Sequence, residues 1–186
     1  MGMDAEDGRL LEAFRRGEES AFTALVIKYR EGVYRVARRM LSNHEDAADA
    51  TQEVFIRAYR ALHRFDGRSR LYTWLYRITV NLCLDARSRL ARVTLVDGEE
   101  ALKDFAAGPG IEDEAEHHET GRLVAEAVAV LPPRQRAMVV LRLYQDLPYQ
   151  EIARIMGCTE GTVKATMFAA VRKLRQTLTA KGVRAS

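Results

Sequence analysis

Residues 148–178 read PYQEIARIMGCTEGTVKATMFAAVRKLRQTL, and their types and spacing suit recognition of a duplex polyanion. Tyr149 to Met156 puts Ile152, Ala153 and Met156 on one face of a short helix. Ala153 is small enough to let a second helix approach closely. Gly157 falls where the turn between the two would need a positive φ, which costs glycine little. Thr159 is placed to cap the second helix. That helix should bury a stripe of Val163, Met167, Ala170, Val171, Leu174 and Leu178. Its opposite face presents Lys164, Ala165, Phe168, Ala169, Arg172 and Gln176. Such a helix-turn-helix lays its second helix in the major groove, with its N-terminal amides on a backbone phosphate. Arg172, Lys173, Arg175 and Lys181 would follow the backbone. A chance amphipathic hairpin is the competing reading.

A second constellation lies earlier in the chain. Residues 57–92 hold 9 Lys+Arg against 2 Asp+Glu. Within them Leu71, Leu75, Ile78 and Leu82 form an apolar stripe. Trp74, Arg77, Asn81 and Asp85 form a polar-aromatic stripe, and Tyr72, Tyr76, Thr79 and Cys83 a third. Flat rings interleaved with arginines suit unpaired bases, since rings stack and cations hold phosphate. The competing reading is that the aromatics fill a small helical core. Upstream, Glu45, Asp49, Gln52, Glu53, Ile56 and Arg60 share one helical arc, with Val54, Ala58, Ala61 and Leu62 supplying the buried side. An acidic stripe with an exposed apolar residue suits docking onto a protein, or is merely solvated.

Other chemistry is not visible. There is no nucleophile–base pair, metal-ligand set or phosphate-binding loop, so neither catalysis, a cofactor nor a metal is expected. Cys83 and Cys158 are far apart and predicted to be small half-buried apolar side chains. His117 and His118 sit among acidic residues and do not make a metal site by themselves.

These groups need elements to hold them. The 186 residues are 47% apolar and 30% charged, an ordinary globular balance. No run of about 18 apolar residues occurs, so no membrane span is expected, and the acidic N-terminus does not read as a secretory signal. A cytoplasmic location follows. Prolines occur only at 109, 132, 133 and 148, which favours long helices before them. Helical periods predict a helix over Asp7 to Arg16, a second over Ala21 to Leu41 capped by Ser20, and a third over His44 to Phe65 capped by Asn43. A fourth runs from Arg70 to about Arg92, capped by Ser69 after a break at Asp66-Gly67-Arg68. Val93 to Gly110 lacks a period and reads as a tether. Helix resumes over Ile111 to Leu131, again from Pro132-Pro133 to about Asp146, and again after Pro148.

The expected fold class is therefore all-α: two small helical domains, 1–92 and 119–186, joined by a flexible acidic linker, 93–118. Net charge follows that division, at +4 for residues 1–96, −7 for 97–118 and +6 for 119–186. Two basic bodies around an acidic segment suggest two surfaces for a polyanion, or simply basic solvated faces.

Nearly the whole chain resembles the extracytoplasmic-function class of bacterial RNA polymerase sigma factors. The first half carries the resemblance in AFTALVIKYREGVYRVARRML, DATQEVFIRAYRAL and RFDGRSRLYTWLYRITVNLCLDARSR. The second carries it in LPPRQRAMVVLRLYQDLPYQEIARIMGCTEGTVKATMFAAVRKLR. The strings DxxQEVF, TWLYRIxxN and EIAxIMGCxxGTVK keep the family's order and spacing. The resemblance implies that Asp49, Gln52, Glu53, Val54, Phe55 and Ile56 bind the clamp helices of the polymerase large subunit. It implies that Asp66 to Arg70 and the fourth helix open and read the minus-ten element, through Arg68, Arg70, Tyr72, Trp74, Arg77, Asn81, Asp85 and Arg87. Trp74 matches the aromatic at the upstream edge of the melted region, and Asn81 the position near a flipped-out base. The helix-turn-helix would read the minus-thirty-five element through Thr159, Thr162, Lys164, Ala165, Phe168, Ala169, Arg172 and Lys173. The linker would thread the polymerase cleft. Further implied partners are the upstream flap of the polymerase and an anti-sigma factor, which could hold the protein at the inner membrane.

This chain departs from the family after GTVK, where the family often carries a serine and arginines. Here Ala165-Thr166-Met167-Phe168-Ala169-Ala170-Val171 follow. Arginine to guanine is the commonest specific base contact. Lys164, Phe168 and Arg172 are therefore expected to share the work, with more shape readout than direct readout. The alternative for the whole chain is a stand-alone helix-turn-helix regulator that binds a symmetric site without polymerase.

Overall fold

A computed structural model describes residues 4–41, 43–97 and 119–182, with only the backbone of residues 90, 92–97, 119 and 120. The described residues form eight helices and no strand. α1 (Ala5–Arg15) starts where the Asp4 carboxylate accepts from the Glu6 amide, and buries Leu11 and Phe14. α2 (Glu19–Met40) begins before the expected cap, so Ser20 lies inside it. Gly17 turns the chain at φ 93°, Arg16 pairs with Glu18 at 3.0 Å, and the Glu18 carbonyl takes the first helical bond from Ala21. α3 (His44–Leu62) has the expected cap, Asn43 accepting from the Asp46 amide at 2.6 Å. It ends three residues short of Phe65, whose ring turns inward and is buried.

α4 (Leu71–Asp97) is longer than its sequence suggests, running past Arg92 into the segment read as tether. The rest of that tether, residues 98–110, and residues 111–118 of the helix expected from Ile111, lie outside the described residues, as do His117 and His118. α5 (Glu119–Ala129) is the described part of that helix. α6 (Pro133–Leu143) opens with proline in its first turn as expected, but stops at Leu143 rather than Asp146. Asp146 takes φ 47°, and the Leu147 amide returns to the Leu141 carbonyl at 3.2 Å, so the chain reverses to bury Leu147. α7 (Tyr149–Met156) and α8 (Glu160–Ala180) form the helix-turn-helix.

The fold is all-α with two helical domains. α1 to α4 pack around one another, and α5, α6 and α7 pack around α8, with α4 laid on α7 and α2 on α6. The buried side chains of both domains make one continuous cluster.

Candidate functional site

The turn between α7 and α8 has the conformation its sequence requires. Gly157 sits at φ 63°, ψ 41°, a left-handed cap that ends α7. Thr159 then accepts from the Thr162 amide at 3.1 Å and starts α8. Ile152, Ala153 and Met156 face inward, as do Val163, Met167, Ala170 and Leu174 of α8. Val171 does not, being 40% exposed, and Leu178 is only half-buried. Positions 163, 167, 170 and 174 already complete a stripe, and residue 171 lies a further 100° round the helix. The outward face holds Thr162, Lys164, Ala165, Phe168, Arg172, Lys173 and Gln176, all exposed, with Ala169 half-buried. Phe168 is 74% exposed. Lys164 pairs with Glu160 at 2.8 Å, and that carboxylate raises its pKa.

α4 separates its stripes more sharply than the sequence does. Arg77, Asn81 and Asp85 are exposed, and Trp74 is half-buried against Phe65, with ring centroids 5.3 Å apart. In the third stripe Tyr72 is half-buried, but Tyr76, Thr79 and Cys83 are core. Burial pushes the Tyr76 phenol up to about 12. That stripe faces protein because α4 is covered by α2 on one side and by α7 on another. Arg87, offered to DNA by the sequence, is half-buried and donates to the Met40 carbonyl at 3.2 Å. Before α4, Arg68 is exposed and pairs with Asp66 at 3.0 Å. The Arg70 guanidinium lies 5.8 Å from the Tyr72 ring centre. Arg70 and Tyr72 line a cavity of about 230 Å³ with Asp4, Asp7 and Tyr29. The three carboxylates of Asp4, Glu6 and Asp7 are gathered there, but they surround the Lys28 ammonium at 3.1, 2.6 and 2.8 Å. A lysine already supplies their cation.

On α3, Asp49 and Gln52 are exposed, Ile56 is 44% exposed, and half-buried Glu53 pairs with Arg57 at 2.7 Å. Val54 is fully buried and Phe55 nearly so. Val54 therefore holds α3 to the core, and Phe55 reaches only the floor of a groove of about 590 Å³. The groove runs between Phe22, Val26 and Arg30 of α2 and Gln52, Phe55, Ile56, Tyr59 and Arg60 of α3. The α2 side was missed by sequence reasoning. Ile27, 75% exposed beside it, was the available signal, an isoleucine one position off the buried stripe.

Also missed was a polar seam between the domains. The Thr73 hydroxyl donates to Glu151 at 2.7 Å and the Tyr76 hydroxyl to Gln145 at 2.6 Å. Arg77 donates to the Arg154 carbonyl. Arg136 donates to the Met40 carbonyl at 3.0 Å and to the Val128 carbonyl at 3.3 Å. Glu151 and Arg136 are each 1% exposed. Burial, with Arg87 nearby, pulls the Arg136 guanidinium down to about 9. Charges this deep persist only when their hydrogen bonds are met.

Comparison with known proteins agrees with this geometry. The family model described as Sigma-70 region 2 matches residues 25–93, and that described as Sigma-70, region 4 matches residues 121–174. The chain is 37% identical over 178 residues to the RNA polymerase sigma-H factor of Pseudomonas aeruginosa, covering 89% of this chain and 90% of that one. It is 36% identical over 179 residues to the ECF RNA polymerase sigma-E factor of Escherichia coli K12, covering 91% and 93%. Among solved structures, CnrH in complex with the cytosolic domain of CnrY superposes with a TM-score of 0.69 at 24% identity, over 94% of this chain and 98% of that one. The sigma factor RpoE in complex with the anti-sigma factor NepR from Bartonella quintana gives 0.69 at 23% identity, over 85% and 96%. With both sigma regions matched in order and relatives alike along most of their length, the chain belongs to the extracytoplasmic-function sigma factors of bacterial RNA polymerase.

Proposed function

We propose that this chain recruits core polymerase through the groove between α2 and α3, and places promoter DNA on α4 and α8. Residues 1–92 act as the polymerase-binding and minus-ten domain, 93–118 as the linker, and 119–186 as the minus-thirty-five domain. Asp49, Gln52, Glu53 and Ile56 meet the clamp helices, with Phe55 at the groove floor. Arg68, Arg70, Tyr72, Trp74, Arg77, Asn81 and Asp85 hold the opened minus-ten strand, with Arg87 bracing the helix from behind. Eversion of a base costs a few kcal/mol, which stacking and phosphate contacts offset. The chain performs no catalysis and takes no cofactor, since bond formation belongs to the polymerase. It works in the cytoplasm. No described helix is long and apolar enough to cross a membrane.

The observation that carries this reading is a pair of helices with exposed cations, α4 and α8, on two packed domains beside a groove lined by Phe22, Val26, Phe55, Ile56 and Tyr59 together with Arg30, Gln52 and Arg60. Arg77 holds the Arg154 carbonyl in this arrangement through one guanidinium nitrogen, so a minus-ten contact through that nitrogen requires this bond to α7 to break. An anti-sigma partner, such as NepR is to RpoE of Bartonella quintana, would act on the same surfaces. The test is transcription from a promoter library by purified core polymerase with and without the chain. Specific initiation that requires it is expected, and the surviving promoters reveal both elements. No initiation, with tight binding of the chain alone to a symmetric site, would replace this reading with a stand-alone regulator.

A further inference from the structure

The outward face of α8 poses a chemical problem. Between Ala165 and Ala169 the sequence is Ala-Thr-Met-Phe-Ala, without one Arg, Lys, Asn or Gln to pair with a purine edge. Met167 is buried, and Thr166 and Ala169 are both half-buried, but helical spacing sets Thr166 at the edge of the buried stripe, so Ala165, Phe168 and Ala169 remain on the outward side. Phe168 is the most prominent of them at 74% exposure, and the core is closed without it. At the start of the helix the Thr162 hydroxyl is engaged with that of Thr159 at 2.9 Å, and Lys164 is paired with Glu160. The cations stand to either side of this apolar segment, Lys164 before it and Arg172, Lys173 and Arg175 after it. From residue 160 to 181 there are five Lys or Arg and one Glu, so the helix is built for a polyanion and not for an apolar partner.

A major groove offers only one apolar group on a base-pair edge, the 5-methyl of thymine, and Phe and Ala are side chains that meet it. The helix rises about 1.5 Å per residue, so Ala165 to Ala169 spans about 6 Å, close to two base-pair steps. We propose that α8 reads its upstream element by apolar contact with thymine methyl groups, with Phe168 as the central reader and Ala165 and Ala169 beside it. This rests on α8 being the minus-thirty-five helix. It departs from shape readout, because the discriminating group is a methyl on a contacted base. Burying one methyl corresponds to about a four-fold change in binding.

Replacing thymine by deoxyuridine removes that methyl and leaves pairing and the O4 acceptor intact. Holoenzyme made with the full chain is first given a library randomised upstream, and the selected element is then resynthesised with uracil at each thymine in turn. At one or two thymines, promoter binding should weaken about four-fold per methyl. Phe168→Ala should bind the thymine duplex correspondingly less well and lose most of its sensitivity to uracil. Its side chain is largely in water, so the variant should keep its helical circular dichroism. Equal binding of thymine and uracil duplexes, or a selected element without A·T pairs, would overturn methyl readout while leaving the minus-thirty-five assignment standing. Indifference to scrambling the whole upstream element would overturn both.

Discussion

Cys83 and Cys158 have the same side chain in opposite surroundings. Cys83 lies fully buried on α4, where burial pushes its thiol up to about 12, whereas Cys158 is half-buried at the turn before α8. The thiolate is the reactive species, so access and pKa act in the same direction. In the native protein at pH 8, iodoacetamide should label Cys158 and spare Cys83 until denaturant is added, as peptide mass spectrometry would show. Equal labelling would mean that α4 is not packed as described. That both cysteines are unpaired was legible in their spacing. That one is core was not, because Cys83 shares a stripe with tyrosines that also suit stacking. The motif on α3 divides in the same way. Helical periodicity already set Ile56 on the exposed arc and Val54 on the buried side, whereas the family resemblance offered Val54 and Phe55 to the polymerase, and packing shows both of those buried. Ile56→Asp should therefore weaken core polymerase binding by ten-fold or more, about 1.4 kcal/mol, with the melting temperature little changed. Unaltered affinity in a competition assay would remove the groove from the interface.

At the scale of elements, caps and turn residues carried most of the legible information. Asn43, Gly157 and Thr159 all do what their types suggest, because each satisfies a local backbone need that no distant contact has to supply. Ser20 misled because an Arg16–Glu18 pair and the Glu18 carbonyl start α2 earlier. The end of α4 was set too soon, since helix continues through Asp97 where no apolar period marks it. The Thr159 cap is worth testing directly. Its hydroxyl serves the Thr162 amide at 3.1 Å at the start of the helix proposed to enter the groove. Thr159→Ala should cost about 1 kcal/mol. In a chain of this size that lowers the melting temperature by about 2–4 °C, while Thr159→Ser should restore most of it. If alanine and serine melt alike in a thermal scan, the cap contributes nothing and the start of α8 is held by packing alone.

Whole-molecule organisation was legible as two basic helical bodies, but their contact was not. Thr73, Tyr76, Gln145 and Glu151 are polar residues that a pattern reading sends to water or to DNA. A buried carboxylate or guanidinium is tolerated only once its partners are known. Gly32 on α2 tests how tightly the bodies are fitted. A Cβ added there would stand 2.5 Å from the Tyr76 hydroxyl and 3.4 Å from the Gln145 side-chain oxygen, the two ends of a hydrogen bond between the domains. On helix propensity alone, alanine for glycine inside α2 should stabilise by about 1 kcal/mol. Here the new methyl drives the phenol away from Gln145, leaving buried polar atoms without partners at a cost of about 1–3 kcal/mol. That loss outweighs the gain in propensity, so Gly32→Ala should lower stability and increase hydrogen exchange around Gln145 and α7. Adding Tyr76→Phe removes the hydroxyl and leaves the methyl facing the ring carbon at 3.5 Å, an ordinary contact. The double variant should then melt higher than Gly32→Ala alone, while α7 stays as exchangeable as in the single variant because Gln145 has still lost its donor. A Gly32→Ala protein that gains the full propensity increment, with α7 protected as in the parent, would mean that α2, α4 and the loop at Gln145 are not fitted together in solution.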